Sequence, residues 1–242
     1  MMSVLMKKKK FILEENQADR DAELSEILSV PLEEIEKYEL CAPDAIRIFG
    51  GDEAPENLVD LYKDFKYLNL SAYYRTLMMT SAERRHPNLI KLIKKTKNKI
   101  FLDYGSGVGT HSIALMQRKN RGYLLDVDGP LLSFAKKRIE RRFGKNNPYL
   151  LGFFLHDMKL PQRHFDLIIC CDVLEHVPDP IAEMERIRDC MKPGAILHLD
   201  VSTMVKPSSG HFKNSIEIWL KSGNAFMDEY FTLVKPTIYR RK

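Results

Sequence analysis

Between Asp103 and Asp126 the chain sets two carboxylates around three glycines at alternate positions, Gly105, Gly107 and Gly109. Glycine tolerates positive φ and carries no Cβ, so a ligand can press against bare backbone there. Where such a turn opens a helix, the first amides have no intrahelical partner and face the ligand. A phosphate-gripping loop would end in Gly-Lys-Ser/Thr, and Gly109-Thr110-His111 lacks the lysine. A dinucleotide fingerprint wants glycine or alanine where Thr110 stands. Asp103, two residues ahead of the first glycine, would repel a pyrophosphate and instead suits a cationic amino end. Asp126 lies 17 positions after Gly109, near the spacing at which Rossmann-like sheets place a carboxylate on ribose hydroxyls. Asp128 falls where a helix N-cap belongs, and because the two acids are two residues apart the opposite assignment stays open. The set fits a zwitterionic nucleoside without phosphate.

A second constellation is Asp172-Val-Leu-Glu175-His176. Imidazole as a residue type suits proton transfer near neutral pH, so His176 is the candidate general base, with plain packing as the competing role. Tyr73, Tyr74 and Arg75 form a third group. Tyrosines of this kind close over a ligand or stack an aromatic one, and they serve equally as the apolar body of a helix. Arg75 could neutralise an acidic ligand or form a surface ion pair.

The elements that must position these groups follow from hydrophobic spacing. Ile100 to Leu102 reads as a buried parallel strand running into the glycine turn. Gly122 to Asp126, Tyr149 to Leu155, Phe165 to Cys171 and Ala195 to Val201 read as further strands. Helices separate them. One starts at Pro180, with Asp179 as N-cap and Ile181, Met184 and Ile187 as its buried stripe. Strand–helix alternation from Ile100 to Val201 is the signature of a doubly wound parallel sheet.

Ahead of it lie an acidic helix over about Ala18 to Leu40, broken by Pro31, and a loop from Cys41 to Pro55 with a short strand at Ile46 to Phe49. A helical repeat follows over Glu56 to Met79, then a helix over Asn88 to Lys97. The expected division is a helical cap over residues 1–95 and a ligand-binding core over 96–242.

Composition narrows the class. With 29% charged and 44% hydrophobic residues the chain is of ordinary globular type, and no apolar run reaches the ~18 residues of a membrane span. The opening MMSVLMKKKK reverses the order of a secretory signal. The four cysteines, Cys41, Cys170, Cys171 and Cys190, show no CxxC spacing and are expected as buried thiols in a reducing cytoplasm. Basic residues from Arg84 to Lys99 and at Arg240-Arg241-Lys242 lack interleaved aromatics at the first cluster, which favours a solvated face over a nucleic-acid platform.

The ordered segments DYGSGVG, LLDVDGPLLSFAKKR, HDM with LP, FDLIICCDVLEHVPDP and MKPGAILHLDV resemble the class I S-adenosylmethionine (SAM) dependent methyltransferases, of the ubiquinone- and small-metabolite-modifying kind. That resemblance covers roughly residues 95–205. It implies an α/β, doubly wound, mostly parallel seven-stranded sheet of Rossmann-like methyltransferase type. Phe226 to Leu233 and Thr237 to Arg241 would then supply the closing strands, turning at Lys235-Pro236. It implies SAM as cofactor, with Asp103 and the Gly105, Ser106, Gly107 and Gly109 backbone at its methionine end. Asp126, beside Val127, would take the ribose, Asp157 and Met158 the adenine, and Cys171 would lie near the reacting centre. Tyr73, Tyr74 and Arg75 would wall the acceptor, opposite the loop from Ser202 to Phe212.

Some members with an acid-x-x-Glu-His cluster hold Mg²⁺. Here the first acid is Asp172 and no second histidine follows His176 directly, so no metal is expected. Asp172-Val173-Leu174 replaces the Asn-Pro-Pro-Tyr type element of adenine and amide methylation. The expectation is therefore a small-molecule methyltransferase, at oxygen ahead of nitrogen or carbon. A nicotinamide oxidoreductase, an RNA or protein methyltransferase using the basic cap, and a non-catalytic partner subunit are the alternatives.

Overall fold

The structure, a computed structural model, describes residues 11–14, 17–33, 87–202, 204 and 211–242. The expected loop at Cys41, the strand at Ile46 to Phe49, the helix over Glu56 to Met79, and Tyr73, Tyr74 and Arg75 lie outside the described residues.

One seven-stranded sheet organises the chain in the order β3-β2-β1-β4-β5-β7-β6. Its strands are β1 (Ile100–Tyr104), β2 (Arg121–Asp126), β3 (Leu150–Leu155), β4 (Phe165–Cys171), β5 (Met191–Asp200), β6 (Phe231–Lys235) and β7 (Ile238–Arg241). The first five run parallel, and β7 enters antiparallel between β5 and β6. The order reverses between β1 and β4, the crevice where sheets of this type bind ligands at the strand carboxyl ends.

Among the described residues the helices are α1 (Gln17–Leu28), α2 (Pro87–Lys95), α3 (Thr110–Gln117), α4 (Pro130–Phe143), α5 (Pro180–Cys190) and α6 (Lys213–Tyr230). They divide the core between the two faces of the sheet. On one, Leu89, Ile90 and Ile93 of α2 join Phe101, Ile113, Leu124 and Ile139. Residues on both sides of the expected boundary at 95/96 thus share one apolar cluster. On the other, Met184 and Ile187 of α5 and Trp219, Phe226 and Met227 of α6 pack with Leu102, Ile168 and Leu197. β1 and β4 are buried on both faces, which is why their sequences run apolar without alternation.

Two expectations are corrected. Phe226 to Tyr230 closes α6 and does not begin a strand. Ile216, Trp219, Gly223, Phe226 and Met227 lie at helical spacing on one buried stripe, and that packing outweighs the local aromatic content. The hairpin then turns over Pro236-Thr237, with Thr237 left-handed at φ 64°. Asp128 does not cap α4 either. Pro130 occupies the first helical position, so the cap falls on Gly129 and Asp128 stays exposed. Elsewhere the expected caps hold. Asp179 Oδ1 accepts from the Ile181 and Ala182 amides at 2.9 and 3.0 Å, and α1 ends at Leu28, ahead of Pro31.

Candidate active site

The three motif glycines all adopt the left-handed conformation, Gly105 at φ 71°, Gly107 at 50° and Gly109 at 72°. Gly105 and Ser106 donate their amides to the Leu125 carbonyl at 2.9 and 3.0 Å, which fastens the loop to the end of β2. A Cβ on Gly105 would stand 2.3 Å from Val173 Cγ2, so the loop passes the end of β4 only because it is bare. Gly109 caps α3 without a side chain, its own amide donating to the Ser106 carbonyl at 2.8 Å while the Ser112 amide of the first turn goes to Asp103. Ser106 Oγ is buried and has no hydrogen-bond partner among the described residues.

The acids flank this loop from below and from the side. Asp103 is 2% exposed, and its Oδ2 accepts from the Ser112 amide at 3.1 Å and hydroxyl at 2.6 Å. Burial pushes its pKa up to about 7; the Ser112 bonds pull the other way, and the neighbouring Asp126 charge adds to the rise. Asp126 spans the crevice edge. Its Oδ2 accepts from the Gly107 amide at 2.6 Å and its Oδ1 from the Val127 amide at 2.8 Å. Each oxygen keeps a second lone pair for a hydroxyl donor. Burial raises this carboxyl too, against the pull of the Gly107 and Val127 bonds.

Asp157 and Met158 lie exposed on the turn after β3. The Met158 amide, expected at the adenine, donates to the Leu155 carbonyl at 2.9 Å, so its half-exposed side chain is the part left open. Arg186 of α5 fixes this turn by donating to the Met158 carbonyl at 2.9 Å.

Beyond β4 the chain kinks at Asp172, which takes φ 53°, a conformation that aspartate tolerates better than most residues. A 3₁₀ turn, Leu174–His176, follows. This turn and the residue after it are tied to the start of α6, since the Phe212 amide donates to the Glu175 carbonyl at 2.9 Å and Ser215 Oγ donates to the Val177 carbonyl. The His176 and His211 rings meet edge to face at 5.1 Å. Ligand atoms of Glu175, His176 and His211 all lie within 4.8 Å of one another. Asp172 is not in this group.

Sequence reasoning missed His211, 35 residues from His176, because no local spacing announces it. It also missed His198 of β5. The Cys171 thiol lies 3.2 Å from His198 Nδ1, and His198 Nε2 lies 3.1 Å from Thr237 Oγ1, a polar chain across the carboxyl ends of β4 and β5. Burial pushes the Cys171 thiol well up, with Cys170 and the nearby carboxylates adding, so it stays protonated and is no nucleophile.

A family profile described as a methyltransferase domain matches residues 78–230, well over half of the chain. The chain belongs to that methyltransferase family. Among its relatives are the tRNA U34 carboxymethyltransferase of Campylobacter fetus, 25% identical over 65% of this chain, and the ubiquinone biosynthesis O-methyltransferase of Hydrogenovibrio crunogenus, 29% identical over 43%. The chain spans about half the length of these two proteins, 56% and 43%. A SAM-dependent methyltransferase from Aquifex aeolicus, known from its crystal structure, is 15% identical, with 65% of this chain and 87% of that one covered at a TM-score of 0.44.

SAM is the cofactor of this methyltransferase family, and the residues present fit it. The loop offers backbone free of side chains at Gly105, Gly107 and Gly109, the buried Ser106 hydroxyl lacks a partner among the described residues, and carboxylates bracket both ends. Among the described residues no helix is long and apolar enough to cross a membrane, and Cys170, Cys171 and Cys190 are free thiols.

Proposed function

We propose that the protein transfers a methyl group from SAM to a small-molecule acceptor, at oxygen ahead of nitrogen or carbon. The observation that carries this reading is the left-handed glycine loop set between Asp103 and Asp126, two acids that disfavour a pyrophosphate by charge. SAM, when bound, supplies a methyl group on a sulfonium that is already a good leaving group. The chain's own task is to orient and to exclude water, which can lower a barrier by roughly 7–11 kcal/mol. Asp103 and the Gly105, Ser106, Gly107 and Gly109 backbone border the amino-acid end. Asp126, beside Val127, accepts from the ribose hydroxyls, and Asp157 with the Met158 side chain borders the adenine. The neutral Cys171 thiol, held by His198, walls the reacting centre. His176 takes a proton from the acceptor where the acceptor must lose one. Tyr73, Tyr74 and Arg75 complete the acceptor side.

The ubiquinone O-methyltransferase relatives support a hydroxyl acceptor. A tRNA-modifying relative keeps RNA as the competing substrate class. Incubation with methyl-labelled SAM and fractionated cell extract separates the two. Label in a small molecule supports the proposal, label in RNA with steep salt dependence replaces it, and no label at all refutes methyl transfer. The free thiols suit a reducing, cytoplasmic setting.

One observation favours a variant of this reading. Glu175, His176 and His211 offer one carboxylate and two imidazoles, a donor set suited to Zn²⁺, Fe²⁺ or Mn²⁺. A divalent ion there would polarise an acceptor hydroxyl, and His176 would then be a ligand in place of a base. Stoichiometric Mn²⁺ or Zn²⁺ binding lost in His211→Ala would establish the variant; no binding would leave His176 as the base.

A further inference from the structure

The glycine loop is gripped from its far side by groups that the chemistry above does not use. Arg138 of α4 is 1% exposed, and its Nη1 donates to the Val108 carbonyl at 2.5 Å and to Thr110 Oγ1 at 2.9 Å. The rest of the same guanidinium is spent on α1. Nε and Nη2 lie 3.0 and 2.9 Å from Glu23 Oε2, while Glu23 Oε1 accepts from Arg142 Nε at 2.8 Å. Glu23 is itself 1% exposed. Burial would raise its carboxyl, but Arg138 and Arg142 outweigh that and hold it below the usual range. The planar fork of five donors lets one side chain serve a carboxylate and a backbone carbonyl in a fixed geometry.

Apolar packing repeats the connection. Val108 stands between Gly107 and Gly109 and is fully buried, in a small cluster with Leu24 of α1 and Phe134 of α4. The loop's one bulky residue therefore has its carbonyl on Arg138 and its side chain among residues of α1 and α4. Flanked by two left-handed glycines, it is the natural point from which to set the direction of the loop amides.

We propose that α1 is a positioning element for the cofactor loop, with Glu23 and Arg138 as positioning residues, so that docking of α1 and binding of cofactor strengthen each other. The proposal rests on the loop being the SAM site. Ordering Val108 before the ligand arrives removes an entropic cost from binding. Thermodynamic linkage makes the effect reciprocal: cofactor must hold α1 in place as firmly as α1 holds the cofactor loop. A built-in control exists, because Arg141 and Glu26 pair across the same two helices at the surface, 29% and 59% exposed.

Calorimetric titration of the full chain with S-adenosylhomocysteine, the thioether product, tests this. Glu23→Gln and Arg138→Lys should each weaken binding about tenfold, raising KM for SAM with kcat retained. Glu26→Gln should change it by less than about twofold. In the wild type, the product should also slow hydrogen exchange of the α1 amides. That measurement decides alone if the buried variants do not fold. Wild-type affinity in a folded Glu23→Gln, or α1 exchange that ignores the ligand, overturns the proposal while leaving the SAM site intact. No binding by the wild type would overturn both.

Discussion

Replacing Gly105 with alanine would put a Cβ where the fold has no room for one. The residue sits at φ 71°, and the new carbon would fall 2.3 Å from Val173 Cγ2 and 3.2 Å from Cγ1. Two costs separate cleanly. Left-handed backbone costs a residue with a Cβ about 1–2 kcal/mol, and overpacking adds about 1–3 kcal/mol. Together they come to about 2–5 kcal/mol. Because the Gly105 and Ser106 amides share the Leu125 carbonyl, the displaced loop carries its ligand-facing groups with it. Affinity should therefore fall along with stability. Val173→Ala opens the space but leaves φ unchanged. In a double-mutant cycle the pair should couple favourably by about 1–3 kcal/mol, and the double variant should retain only the backbone cost. Urea unfolding gives the stabilities and calorimetry with S-adenosylhomocysteine the affinities. Strictly additive effects, or a neutral Gly105→Ala, would refute the steric account of the motif.

Other expectations concern the acids and the base. Asp103 keeps its proton up to about pH 7, whereas an unfolded aspartate releases it near 3.8. The folded chain thus holds the extra proton between those values, and this group's contribution to stability is lost as pH rises through about 7. Asp103→Asn should flatten that part of the stability–pH curve, and parallel curves for variant and wild type would contradict it. Asp126→Ala should weaken SAM binding by about 1–3 kcal/mol, the worth of buried hydrogen bonds; an unchanged dissociation constant removes Asp126 from the ribose role. His176→Gln should lower kcat by about 10²–10⁴ with product affinity retained, as loss of a general base does. Equal kcat would leave His176 a packing residue.

Local signals carried much of this fold, and the failures have a common cause. β4 was legible from Phe165 to Cys171 because an apolar, β-branched run between turn residues has one economical fate beside other such runs. The turn after β1 was legible because left-handed backbone demands glycine, and Gly105, Gly107 and Gly109 all adopt it. Phe226 to Tyr230 misled because a short aromatic run fits either period until the stripe from Ile216 onward is counted. Asp128 misled because a proline two residues on shifts the helix start. His211 and the Glu23–Arg138 pair were silent for another reason. Glu23 and Arg138 stand 115 residues apart, and each alone reads as an ordinary charge on a solvated helix face. Only the packing of α1 on α4 turns them into a buried unit.

The central claim is that the crevice at the carboxyl ends of β1, β2 and β4 holds a nucleoside joined to an amino acid, with no phosphate. Calorimetry of the full chain with S-adenosylhomocysteine and, in parallel, with NAD tests it most directly. The account predicts saturable binding of the thioether at one site per chain, competed by SAM, and none of the dinucleotide. Binding of NAD alone, or of neither compound, would contradict it.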